Sequence, residues 1–154
     1  MATWITDRTK YDVDHVNELH EKANYSTWTE AEQAEWVAGM KGALSSSDFN
    51  RIESGIQELA SILSISINVK TNWAADGYLT TSDAYRWLNN INTLRQKFSV
   101  KSSTPSTPSS MSPLSYQLMN QIEQILFDME QIAKDVNLYC SEPICGGEPY
   151  YALC

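Results

Sequence analysis

Long apolar runs are missing from this 154-residue chain. No stretch reaches the ~18 consecutive apolar residues of a membrane-crossing helix, so membrane insertion is not expected. The opening Met1-Ala-Thr-Trp4-Ile-Thr-Asp7-Arg8 has neither the basic start nor the apolar centre of a secretion signal, which predicts a protein made in a cytoplasm. Cysteine is scarce: Cys140, Cys145 and Cys154 form an odd set crowded into the last fifteen residues, where no disulfide can staple the body together. They read as reduced thiols, and their spacing matches no zinc finger or ribbon, so no metal is expected.

Basic residues are also few. Against 19 Asp and Glu stand 11 Lys and Arg, and the net charge of -8 repels a phosphate backbone, which excludes nucleic acid as a partner. The two histidines, His15 and His20, lie about 140° apart around one helix and cannot share a ligand. No dinucleotide or phosphate-binding glycine loop, His-Glu-x-x-His or nucleophile elbow occurs, so neither a cofactor nor an ordinary enzyme is predicted. Asp12, Glu32, Asp48 and Asp83 offer paired carboxylates for a cell-wall hydrolase. Each is explained more simply as a helix cap.

What the chain does have is length enough for one hydrophobic core, 42% hydrophobic residues, five Trp and eight Tyr. Trp4, Trp28, Trp36, Trp73 and Trp87 are read first as core anchors and second as contact hot spots. Four similar helix starts punctuate the sequence: Thr9-Lys-Tyr-Asp12, Ser45-Ser-Ser-Asp48, Thr80-Thr-Ser-Asp83 and Ser112-Pro-Leu-Ser115. In each, a hydroxyl can accept an orphaned backbone N–H, and in three a carboxylate meets the positive end of the helix dipole. Asp48, Arg51, Ile56 and Leu59 recur 35 residues later as Asp83, Arg86, Ile91 and Leu94, either a true duplication or two helices built by the same capping and amphipathic rules.

The first helix is expected over about 10–24, burying Val13, Val16, Leu19 and Ala23. A capping box at Thr29-Glu-Ala-Glu32 opens a short helix through Trp36 and Met40, weakened by Gly39 and Gly42, with Trp28 and Trp36 as a local cluster. The next runs over about 48–63 on Phe49, Ile52, Ile56, Leu59 and Leu63. Alternation then takes over: Ile65, Ile67 and Val69 face one side, Ser66, Asn68 and Lys70 the other, the period of a half-buried strand that needs a mate. After a turn at 72–78, Ala84, Trp87, Leu88, Ile91, Leu94 and Phe98 mark another helix. Arg51 and Arg86 are placed to pair with nearby helix acids or with a partner's carboxylate.

Residues 99–112, almost all Ser, Thr, Pro and Lys, read as a loop or tether. The longest helix follows over about 113–138, with Ile122, Ile125, Leu126, Met129, Ile132, Ala133 and Val136 on a stripe wide enough for two neighbours, in this chain or in a copy of it. The last segment, 139–154, repeats Tyr139-Cys-Ser-Glu-Pro143 as Ile144-Cys-Gly-Gly-Glu-Pro149 before Tyr150 and Tyr151, and reads as an extended arm suited to docking. The expected fold is therefore mainly α. It comprises a small bundle of four main helices and one short one, a minor β element near 64–70, and the arm; the units are 1–98, 99–112, 113–138 and 139–154. The partner-binding candidates are Tyr139, Ile144, Tyr150, Tyr151, Ile65, Ile67 and Val69.

Several motifs also carry a resemblance. Trp4-Ile-Thr-Asp-Arg-Thr9, Asp12-Val-Asp-His-Val16, Glu35-Trp-Val-Ala-Gly-Met-Lys-Gly-Ala-Leu44, Asp48-Phe-Asn-Arg-Ile-Glu53, Lys70-Thr-Asn-Trp73, Arg86-Trp-Leu-Asn-Asn-Ile91 and Asn120-Gln-Ile-Glu-Gln-Ile-Leu126 resemble, in order, a family of small minor structural proteins encoded among the tail genes of phages and prophages of Firmicutes. The ending is similar to that family's doubled aromatic-Ser-Gly-Glu units but departs from it in Cys140, Cys145, Cys154 and the prolines after each Glu. The resemblance implies a virion component of the tail, tail tip or baseplate region. It implies several copies as a homo-oligomer touching other virion proteins, no chemistry, and synthesis in the host bacterial cytoplasm. A rival expectation is a host-receptor or glycan binder at the tail tip, stacking a cell-surface ligand on Trp73 and Tyr78.

Overall fold

Four helices begin with the reciprocal hydrogen bonds that their sequences promise. In the computed structural model, which describes residues 3–22, 24–75 and 77–141 and side chains as far as Val136, the helices are α1 (Lys10–Glu21), α2 (Glu30–Ala38), α3 (Ser46–Ile62), α4 (Thr81–Arg95) and α5 (Tyr116–Ser141). Thr9 with Asp12, Thr29 with Glu32, Ser45 with Asp48 and Thr80 with Asp83 each form a complete capping box, satisfying two orphaned donors per helix. The mainly helical reading holds.

The fifth start differs from expectation. Ser115, not Ser112, accepts the N–H of Leu118 at 3.2 Å, so α5 opens at Tyr116 and Pro113 lies outside it. The helix then continues through Ser141, so residues 139–141 are helical and not part of an extended arm. Two other ends also move: α1 stops at Glu21 because Lys22 turns extended, and α2 stops at Ala38, where Gly39 adopts φ +94° and its N–H closes onto Trp36 O.

The β element near 64–70 is corrected: among the described residues there is no strand. The segment is extended, and its alternation is real, for Ile65, Ile67 and Val69 pack on the core while Ser66, Asn68 and Lys70 face out. What it lacks is a ladder, because side chains of the helices take the place of a second strand. Ser64 lies at φ 53°, with Ile65 N–H bonding to Ala60 O and Ser64 N–H to Ser61 O, the paired bonds of a left-handed C-terminal cap.

This segment runs back along α3 toward its start, since Lys70 N–H reaches Glu53 and Trp73 N–H reaches Asn50. The loop after α4 does the same: Arg95 binds Thr104 O and Pro105 O, and Met111 lines a cleft with Thr80 and Ala84. Residues 99–112 are thus seated, with Thr104 and Met111 buried, because hydrogen bonds from Arg95 and Gln121, and one from the Thr104 hydroxyl to Asp128, supply what apolar burial alone does not. Two extended returns of this kind make α3, α4 and α5 parallel.

Parallel helices can stay in register over several turns, and these do. Phe49, Ile52, Ile56 and Leu59 are matched 35 residues on by Ala84, Trp87, Ile91 and Leu94, and a further 35 on by Met119, Ile122, Leu126 and Met129. Apart from the half-buried Ala84, all of them are buried in one cluster. The alternating three- and four-residue steps are heptad spacing, which keeps one seam of each helix turned to its neighbours. Even the caps keep the period, at Ser45, Thr80 and Ser115, each preceded by a leucine: Leu44, Leu79 and Leu114. The α1–α2 unit stands apart, with a separate cluster of Val16, Leu19, Trp28 and Met40.

Candidate functional site

Between each pair of parallel helices runs a groove, and each groove holds one extended segment. Residues 65–73 lie between α3 and α4, residues 101–111 between α4 and α5, and residues 3–8 between α5 and α3. Two of these grooves share a device. In α3, Asn50 clamps Trp73 through both backbone groups (Trp73 N–H to Oδ1 2.8 Å, Nδ2–H to Trp73 O 3.2 Å). One turn on, the fully buried Glu53 accepts from Lys70 N–H, Arg86 and the indole of Trp87.

In α5, Asn120 clamps Arg8 in the same way, at 3.0 and 2.8 Å, and the fully buried Glu123 accepts from Ile5 N–H at 2.7 Å, Arg8 at 2.8 Å and Arg51. A third buried acid, Glu130, accepts the indole N–H of Trp4 and faces Lys134 at 3.2 Å. An Asn and a Glu three apart lie on one helix face and together imitate the edge of a strand.

Two of the three buried glutamates, Glu123 and Glu53, are paired with an arginine one turn from a capping aspartate. Asp48 orients Arg51 toward Glu123, and Asp83 orients Arg86 toward Glu53, both at i to i+3. Burial works against the charge on Asp48 and Asp83, yet hydrogen bonds from the cap hydroxyls, cap N–H groups and arginines outweigh it and hold both carboxyls below the usual range. Burial likewise opposes the charge on Arg51 and Arg86, and their carboxylate partners more than compensate, raising both. Such acids bind backbone and cations.

The expected site residues scatter. Ile65, Ile67 and Val69 are half-buried against the core of their own chain. Tyr139 lies in the last turns of α5, while Ile144, Tyr150 and Tyr151 fall outside the described residues. Trp73 is buried against Phe49 under Lys70, whose ammonium sits 3.7 Å from the ring centroid, so a stacking platform with the exposed Tyr78 loses its main member. Trp28 and Trp36 do meet edge-to-face at 5.6 Å. His15 pairs with Glu35 and His20 with the Trp36 ring. Among the described residues no cluster of His, Cys, Asp and Glu could hold a metal ion, and no described helix is long and apolar enough to cross a membrane.

Missed from the sequence were Arg8, which lies outside any helix, and Glu53, Glu123 and Glu130, because a lone acid in a helix reads as solvated. One signal was available: Asn50-Arg-Ile-Glu53 and Asn120-Gln-Ile-Glu123 are the same pattern, 70 residues apart. Three half-open clefts of about 400, 470 and 450 Å³ ring the starting ends of α3, α4 and α5, lined in turn by Leu44 with Leu114, Leu79 with Leu114, and Leu44 with Trp36. Comparisons with protein-family models, curated proteins and solved structures find no match to this chain.

Proposed function

We propose that the chain is a non-enzymatic structural component of a phage or phage-like virion, in the tail, tail tip or baseplate region. It acts as a scaffold or adaptor through contacts with other virion proteins and with its own copies. The resemblance of its motifs supports the location. The observation that carries the contact role is the division of labour among side chains. The buried acids and arginines of the grooves, and the capping acids, are consumed internally, whereas Tyr11, Tyr25, Val37, Tyr78 and Tyr85 are about half or more exposed. Large aromatics at the surface suit interfaces.

On this reading the leucine-lined clefts receive apolar side chains of neighbours, and the segment beyond Ser141, with Ile144, Tyr150 and Tyr151, completes an adjacent subunit. The test is deletion of residues 142–154 in the producing genome. Particles are expected to lose this protein while the deleted chain stays folded. Turnover of peptidoglycan or teichoic acid by the recombinant chain, or its retention on isolated host cell walls with no incorporation into particles, refutes the scaffold reading.

A further inference from the structure

The three grooves are alike in chemistry but not in how their occupants are connected. Segments 65–73 and 101–111 join directly the two helices between which they lie. Segment 3–8, by contrast, is separated from α3 by the whole α1–α2 unit, and that unit belongs with the segment. Lys41 pairs with Asp7 at 2.8 Å, and Gly42 sits so close to α1 that a Cβ there would lie 2.0 Å from Asp12 O. The boundary falls at one peptide bond, for Ala43 packs on the α1–α2 cluster and Leu44 on the main core.

Among the described residues, the polar contacts that tie segment 3–8 to α3 and α5 are those of the groove, and they specify a narrow occupant. Glu123 and Asp48 require a cation where Arg8 sits, Glu123 requires a backbone N–H where Ile5 sits, Glu130 requires the indole donor of Trp4, and Asn120 requires an extended backbone. Arg51 adds a bond to Thr3 O at 2.7 Å, and Arg8 folds back onto Ile5 O at 2.8 Å. With residues 3–8 in place Glu123 is wholly buried and its charge is met by Arg8, Arg51 and the Ile5 N–H, so an occupant that supplies the same cation and donor is favoured in this groove.

We infer that the groove between α3 and α5 is an exchange site, which accepts residues 3–8 of a second copy of this chain when the unit 3–43 swings about the Ala43–Leu44 junction. The same contacts form in trans as in cis, so the exchange costs no interaction within the groove and is driven by local concentration, as it would be in an assembled particle. This deepens the assembly reading. Its failure would leave that reading intact, since copies can also meet through other faces.

The test uses the full chain with a photoreactive benzoylphenylalanine at Thr3, an exposed position beside Arg51. This unlabelled chain is mixed with nitrogen-15-labelled native chain, incubated at rising concentration and irradiated, and the crosslinked peptides are weighed. Exchange predicts that residue 3 of the light chain becomes joined to heavy α3 or α5 peptides, approaching equal amounts of heavy and light acceptor at high concentration. Adding Arg8→Glu to the light chain should abolish the heavy product. Acceptors that remain entirely light at every concentration overturn the proposal, and so do heavy acceptors that persist unchanged with Arg8→Glu.

Discussion

Ser64 occupies a left-handed backbone position that glycine adopts without strain, and it does so to end α3 and launch the extended return. Ser64→Gly should therefore stabilise the fold by about 1 kcal/mol, read as a higher denaturant midpoint at unchanged slope. Glu123 has the opposite sensitivity. Truncation by Glu123→Ala strips Arg8, whose side chain is 3% exposed, of its closest carboxylate and should cost about 3 kcal/mol or more. Glu35→Ala, which removes only an exposed partner of His15, should change stability by less than about 0.5 kcal/mol in the same assay. The two acids look alike in the sequence. Environment alone separates them.

Among elements, the capping boxes tie stability to pH. The carboxyls of Asp12, Asp48 and Asp83 are all depressed in the folded chain, that of Asp12 chiefly by hydrogen bonds from Thr9. A depressed folded pKa means that the unfolded chain binds the proton more tightly. The contribution is therefore complete above the ordinary carboxylate value and is lost as pH falls through about 4 and below. Thermal melts should show a decline over that window, made shallower by Asp83→Asn. Thr80→Ala removes the cap hydroxyl of α4 and should cost about 1 kcal/mol at neutral pH. These helix starts were legible because capping is a local matter, settled by residues three apart. The fate of 64–70 was not, because periodicity reports which side is buried and not whether a backbone neighbour exists.

For the whole molecule, two clusters of unequal size predict unequal stability. The parallel helices α3, α4 and α5 share a large core, whereas α2 has no buried residue and α1 contributes only Val16 and Leu19 to a small one. Native-state hydrogen exchange should find α2 amides opening well before those of α3 and α5, and the unit 3–43 opening below the global free energy. The 35-residue repeat visible in α3 and α4 extends to α5 once the helices are seen side by side. There Asp and Arg have become Leu118 and Gln121, which hid the third copy, while its cap, its preceding leucine and its buried seam remain.

Composition, capping signals and apolar spacing by themselves determined that the chain is mainly helical, where most helices begin, and which faces turn inward, since each of these depends on neighbours a few residues apart. Only the tertiary structure decided that three helices run parallel, that extended returns fill the grooves between them, and that Glu53, Glu123 and Glu130 are buried. Those outcomes rest on partners up to 126 residues distant, such as Trp4 and Glu130. No local pattern encodes which arginine, indole or backbone N–H will meet a carboxylate when the chain closes.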